Sequence, residues 1–243
     1  MRILIIRHGD PDYEHDSLTE KGWREAALLA DKLEKETLTK LYVSPLGRAK
    51  ATASLTLERK QMEAEEQDWL QEFDARIIRP DSPDRTHIAW DWLPEDWTAI
   101  PEFYDSDRWT EPTVMQNAKV REEYQRVTAG LDTLLARHGY VRDGNLYLVE
   151  QRNRDTIALF CHFGVECVLL SHLMNVSPMI LWHHLCAAPS SVTTIYSEER
   201  REGKASFRVS SFGDQSHLYA GGEPASFQAR FCETWDCTEE RHD

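Results

Sequence analysis

The chain opens with an unbroken apolar run over residues 3–6 that halts at Arg7, His8 and Gly9. A short branched run without alternation suits a strand covered on both faces, the habit of parallel sheets, and it leaves His8 at the strand's C-terminal end. The period then changes. In LTEKGWREAALLADKLEKE, Trp23, Ala26, Ala27, Ala30 and Leu33 recur at helical spacing, with Thr19 placed as the N-cap. LYVSPLGRAKATASLTLERK repeats the arrangement: a strand over residues 41–43, Ser44 as cap, Pro45 at the first helical position and Arg48 in the first turn. A third unit, DTIALFCHFGVECVLLSHLM, reads as a buried strand over 156–161 and an apolar helix over 165–174, with His162 at the junction.

Between these units, Val120, Tyr124, Val127, Leu131 and Leu134 or Leu135 form one stripe, so a long amphipathic helix is expected to end near Gly139. NLYLVE, SVTTIYS and ASFRVSSF read as further strands, the last two as a hairpin joined by EERREGK. Strands alternating with helices predict a three-layer α/β/α sandwich with a mostly parallel central sheet. Residues 1–243 are expected to make one domain. It carries an insertion around 76–113 that is rich in proline and aromatics and lacks a sustained period, and a C-terminal tail around 213–243.

Composition narrows the function classes. Of the 243 residues 41% are hydrophobic and 29% charged, and no apolar stretch is long enough to span a bilayer. The first residues lack the length and cleavage chemistry of a signal peptide. The five cysteines are an odd count in a chain that needs no disulfide staples at this size, which fits a reducing cytoplasm. A net charge of −14 argues against a nucleic-acid partner, whose phosphates are bound by clustered Lys and Arg. An anionic ligand would therefore need a locally positive pocket on an acidic molecule.

In open parallel sheets ligands collect beyond the C-terminal strand ends. LIIRHG and ALFCHFG each put a histidine at such an end, followed closely by a glycine that would let the chain turn and a ligand approach. Arg7 precedes the first histidine, and Arg48 stands near a helix N-terminus, whose dipole and N–H groups favour anions. Guanidinium forks fit phosphate oxygens bidentately.

The set RHG, LTEKG, SPLGRAKATA, WLQEF and CHFG, in that order over roughly residues 1–75 and 155–200, resembles the histidine phosphatase superfamily, also called phosphoglycerate mutase-like. The resemblance implies phosphoryl transfer through a phosphohistidine on a small phosphorylated metabolite. It implies His8 as nucleophile, Arg7 and Arg48 as phosphate-binding arginines, His162 as the second pocket histidine and Glu72 as the proton donor. It implies no metal and no other cofactor, and hydrolysis rather than mutase chemistry, because RHGDPDYEHD lacks the asparagine that mutases carry shortly after the motif. A phosphoglycerate mutase remains the runner-up, and a noncatalytic phospholigand-binding protein the reading from another class.

Each residue has a plainer alternative: His162 as a core histidine, Arg48 as an exposed helix arginine, Glu72 as a surface carboxylate. Asp74 and Glu102 are alternative acids by type, and only the local WLQEF match selects Glu72. His183-His184 and Cys232-x4-Cys237 form no complete zinc set. Tyr13 or Asp12 could line the pocket rim, while DPDYEHD reads as a solvated acidic loop. The tryptophan-rich insertion is either a water-excluding lid or a hydrophobic cluster or subunit contact, and the tail folds over the body. Oligomeric state is not readable.

Overall fold

A computed structural model describes residues 1–242. The first apolar run is β1 (Arg2–Arg7), followed by the short pair β2 (Pro11–Asp12) and β3 (Ser17–Leu18), then α1 (Glu20–Glu34), β4 (Lys40–Val43), α2 (Gly47–Lys60) and β5 (Ala64–Glu66). A 3-10 turn, Asp68–Leu70, leads into the insertion, which holds the two-stranded β6 (Arg76–Ile77) and β7 (His87–Ile88), α3 (Pro94–Thr98), a 3-10 turn at Pro101–Tyr104 and α4 (Thr113–Asn117). The long helix α5 (Val120–Arg137) precedes β8 (Tyr140–Asp143), β9 (Leu146–Val149), β10 (Thr156–Cys161), α6 (Phe163–Met174) and α7 (Pro178–His184). The hairpin β11 (Val192–Arg201) and β12 (Lys204–Asp214) and the short α8 (Ser216–Gly221) complete the fold.

The main sheet has eight strands in the order β5-β4-β10-β1-β11-β12-β9-β8. It is mixed. β5, β4, β10 and β1 pair in parallel, and every pairing from β1 to β11 onward is antiparallel. The parallel half carries the three strand-loop-helix units, and the antiparallel half is built from hairpins that need no crossover helix. β1 and β10 are neighbours in register, with Ile3 opposite Ile157 and Arg7 opposite Cys161.

Alternation along β1 sorts the two faces. Leu4 and Ile6 pack with Leu29 and Leu33 of α1 and Ala49 and Ala53 of α2. Ile3 and Ile5 pack with Val165 and Leu169 of α6 and Val127 and Leu131 of α5. Each fully buried Leu, Ile or Val side chain among these contributes on the order of 1.5–3 kcal/mol relative to exposure. The uninterrupted apolar reading of β1 was therefore a correct sign of double cover.

Three local expectations change. The helix α1 starts as read, with the Thr19 hydroxyl accepting from Gly22 N at 3.1 Å, but Trp23 is 40% exposed and Glu25 is buried instead. α2 begins at Gly47 rather than Pro45, and Ser44 does not cap it; the Asp16 carboxylate accepts from Gly47 N at 2.6 Å. EERREGK is mostly strand, since Arg201 still faces Lys204 across the β11–β12 turn at Glu202-Gly203, while the charged residues lie where the hairpin extends beyond the core.

The insertion is not a detached lid. Trp92, Trp97, Phe103 and Trp109 are buried in the same core as α6 and α7, with Trp109 edge-on to Trp182 at 5.6 Å. Aromatic residues without helical period here fill the space between short elements.

Candidate active site

Because β1 and β10 are adjacent and parallel, His8 and His162 leave the sheet side by side. Their ring centroids lie 5.1 Å apart. The backbone around His8 is fixed on both sides: its N donates to the Cys161 carbonyl at 3.0 Å, and its carbonyl accepts from Ser190 N at 2.9 Å. Gly9 N donates to the Thr52 hydroxyl at 2.9 Å, which ties the loop to α2. The glycine is needed for packing as well as for ligand approach. A Cβ on Gly9 would meet Gly22 O at 2.9 Å, and one on Gly22 would meet Asp10 O at 2.2 Å, so loop and helix touch backbone to backbone.

His8 Nδ1 lies 2.7 Å from the Gly9 carbonyl. A carbonyl can only accept, so Nδ1 carries the proton and the neutral ring keeps its lone pair on Nε2. Burial, the Arg7 charge and the Arg48 charge push the imidazole down to about 3, against the bond to Gly9 and the Asp16 carboxylate, and the ring is neutral at any physiological pH. His162, fully buried, is held well below its usual range by burial and by His8, Arg48 and Arg7. Its Nε2 is 2.8 Å from the Ser44 hydroxyl, and its Nδ1 is buried without a protein partner.

Both arginines stand at the same place. Arg7 is 6% exposed, donates from one terminal nitrogen to the Ala187 carbonyl at 2.5 Å, and has a buried Nε with no partner. Arg48 donates to Asp16 Oδ1 at 2.7 Å, and its Nε is likewise buried and unpartnered. The Asp16 carboxyl is pulled below its usual range because Gly47 N–H and Arg48 outweigh its partial burial. The first N–H of α2 is thus already satisfied by Asp16, and Arg48 rather than the helix terminus is the cationic group of this element.

Glu72 follows the 3-10 turn Asp68–Leu70. Its Oε1 accepts from Phe73 N at 2.8 Å and from Val165 N, in the first turn of α6, at 3.0 Å. Burial raises its carboxyl above the usual range, opposed by these N–H groups, that of Gly164 and the Arg7 charge. A Cβ on Gly164 would stand 2.6 Å from Glu72 Oε1 and 2.6 Å from Trp90 Nε1, so only glycine admits the carboxyl here. The insertion and α7 brace the segment: Trp90 Nε1 of the insertion donates to the Phe73 carbonyl at 2.9 Å, and Trp182 Nε1 of α7 donates to the Gly164 carbonyl at 2.9 Å.

The five residues singled out in the sequence, Arg7, His8, Arg48, Glu72 and His162, are brought together: both arginines act electrostatically on both histidines, and Glu72 on Arg7. The alternative acids lie elsewhere, Asp74 paired with Arg76 at 2.6 Å and Glu102 with Arg108 at 3.3 Å at the surface. Tyr13, 63% exposed, lies at the rim with its ring 5.5 Å from the Arg48 guanidinium, while Asp12 bonds His15. His183 stacks on Trp97 at 4.7 Å, and Cys232 meets His242 at 3.2 Å. The tail reaches the same end of the fold, with Ser226 donating to Asp10, Glu223 bonding Lys21 and Arg24, and Cys186 bonding the Ala229 carbonyl at 3.2 Å.

Asp16, Thr52 and Glu166 were given no role in the sequence reading, and Ser44 and Gly164 were read there only as a helix cap and a turn glycine. Only Glu166 left a signal there, as the single charge in an otherwise apolar turn. The others bond across elements far apart in the chain.

Comparison with known proteins identifies the family. The sequence profile of the histidine phosphatase superfamily (branch 1) matches residues 3–209. The chain is 26% identical over 215 residues to phosphoserine phosphatase 1 of Hydrogenobacter thermophilus, covering 83% of this chain and 89% of that one. Among solved structures, a mutant of phosphoserine phosphatase from Entamoeba histolytica in complex with phosphoserine superposes with a TM-score of 0.57 at 19% identity over 89% of this chain and 98% of that one. A mycobacterial glucosyl-3-phosphoglycerate phosphatase superposes with a TM-score of 0.57 at 16% identity over 88% and 99%. These structural likenesses speak to the fold.

Proposed function

Given that the chain belongs to the histidine phosphatase superfamily, branch 1, we propose that it hydrolyses phosphomonoesters of small metabolites through a phosphohistidine on His8. The observation that carries this reading is the set of buried nitrogens without partners among the described residues, Arg7 Nε, Arg48 Nε and His162 Nδ1, gathered around a neutral His8. Buried donors left unpaired cost about 1–3 kcal/mol each, and a phosphoryl oxyanion satisfies all of them together.

In the first half-reaction the His8 Nε2 lone pair forms a bond to phosphorus as the P–O ester bond breaks. The electron pair leaves on the alkoxide oxygen, which takes the proton of the Glu72 carboxyl. An arriving phosphate dianion adds to the burial that already raises Glu72, so substrate binding favours the acid form. In the second half-reaction Glu72 accepts a proton from water as the water oxygen bonds phosphorus, and the P–N pair returns to His8 Nε2. Arg7, Arg48 and the Nδ1–H of His162 hold charge on the equatorial oxygens throughout.

The relatives' substrates, phosphoserine and a glucosyl-phosphoglycerate, point to a phosphorylated small hydroxy acid. Cytoplasmic action is part of the proposal, supported by the free buried thiols of Cys161 and Cys167. Purified protein is expected to release phosphate from nitrophenyl phosphate and from phosphoserine, with vanadate inhibiting. With 3-phosphoglycerate and catalytic bisphosphoglycerate, formation of 2-phosphoglycerate in place of free phosphate would replace this reading with the mutase one.

A further inference from the structure

Behind Arg7 lies a second carboxyl that the reaction above does not use. Glu166, in the first turn of α6, is 1% exposed, and its Oε1 is buried with no hydrogen-bond partner among the described residues. Thr193 of β11, itself 1% exposed, stands where its hydroxyl favours the charged carboxyl. The Thr193 hydroxyl already accepts from Gly213 N at 3.0 Å, so its single proton is free to go to Glu166. Thr193 sits opposite Ile5 in the sheet register, and Arg7 lies two residues beyond Ile5 on the same face, the one α6 covers.

Arg7 and Glu166 thus share one buried layer, each with an unsatisfied polar atom. No direct ion pair joins them among the described residues, but each acts electrostatically on the other. A buried guanidinium needs a compensating charge when no oxyanion occupies the pocket. We propose that Glu166 is the internal counter-ion of Arg7: ionised while the pocket is empty, it takes up a proton from solvent when a phosphate dianion neutralises the arginine. Glu166 thereby weakens the hold on phosphate and favours product release. The inference rests on the phosphatase reading of this site.

The groups facing Glu166 fit that role. Arg7 on β1 favours its charged form, Glu72 opposes it, and the thiols of Cys161 on β10 and Cys167 beside it in α6 stay protonated because burial and both carboxylates disfavour thiolate. Burial first, with Glu72 adding and Thr193 and Arg7 opposing, puts Glu166 at about 7. A modest change in the charge balance at Arg7 then shifts its protonation near neutral pH.

The test is the inhibition constant of inorganic phosphate against nitrophenyl phosphate hydrolysis, measured for wild type and Glu166→Gln from acid to alkaline pH. Taking the ratio of the two proteins at each pH cancels the ionisation of phosphate itself. Glu166→Gln keeps an acceptor for Thr193 and loses only the charge, so it is expected to bind phosphate more tightly, by a ratio near one in acid and about tenfold in alkali. A ratio independent of pH, or weaker binding by the variant, overturns the proposal. An independent measurement leaves Glu166 in place. In protein carrying Glu72→Gln and Glu25→Gln, infrared difference spectra are expected to gain a protonated-carboxyl stretch when phosphate is added, and no gain refutes proton uptake. If the wild type is not competitively inhibited by phosphate at all, the phosphatase reading fails instead.

Discussion

His8 and His162, 154 residues apart in sequence, stand one residue beyond the paired positions Arg7 and Cys161 of two adjacent parallel strands, with ring centroids 5.1 Å apart. Register explains the convergence. Parallel neighbours end at the same height, so the residue after each strand meets its counterpart above the same sheet edge.

If His8 Nε2 is the nucleophile, His8→Ala removes covalent catalysis but leaves Arg7, Arg48 and His162 in place. Hydrolysis of nitrophenyl phosphate is expected to fall by roughly 1,000-fold or more, while phosphate binding persists. Rapid acid-free quenching of wild type with labelled substrate is expected to trap an acid-labile phosphoprotein that the variant lacks. Turnover that survives the substitution would overturn the assignment.

Glu72→Gln keeps the bonds from Phe73 and Val165 but cannot give a proton. Alkyl phosphates, with poor leaving groups, are expected to lose about 100- to 10,000-fold in kcat, and nitrophenyl phosphate clearly less. Comparing the two substrates on the one variant reads this directly. Equal losses would place the acid elsewhere.

Gly164→Ala and Gly9→Ala should separate chemistry from stability. The new methyl at 164 meets side chains only, Glu72 Oε1 and the indole of Trp90, whereas that at 9 meets the backbone oxygen of Gly22. We expect Gly164→Ala to lower kcat by about tenfold or more through the displaced carboxyl, with a small change in Tm. Gly9→Ala is expected to cost about 1–3 kcal/mol in denaturant unfolding as well as activity.

Stability against pH has two opposed sources. Burial holds His8 at about 3 and His183 and His217 at about 4, below the 6.5 of the unfolded chain. Their contribution is complete above 6.5 and is lost as pH falls toward 4 and then 3, because the unfolded chain binds protons the native one refuses. Glu25, raised by burial from 4.5 to about 7, has the reverse sign: its contribution is complete below 4.5 and is lost as pH rises through 7. Urea unfolding is therefore expected to show Glu25→Gln stabilised relative to wild type at pH 8, on the order of 1–3 kcal/mol, with the gain largely gone at pH 5. An unchanged difference across that range would mean that Glu25 stays charged in the fold.

The sequence by itself determined the pieces that depend on local order. Apolar runs without alternation marked β1 and β10 as doubly covered strands, and helical stripes with Thr19 and Gly139 at their ends bounded α1 and α5. Arg7-His8-Gly9, Arg48 and His162 were legible from their places at strand ends and a helix start, whereas Glu72 in WLQEF was picked out only by the resemblance to the family. What only the tertiary structure decided are the contacts between distant segments: Asp16 rather than Ser44 at the start of α2, Ser44 on His162, Gly164 against Glu72, and Glu166 in the layer behind Arg7. Trp23 shows the same limit from the other side, for its spacing fits the apolar stripe, yet it is exposed while Glu25 faces inward and accepts from Asp10 N at 2.8 Å. Periodicity fixes which residues share a face; close packing between elements fixes which face is buried.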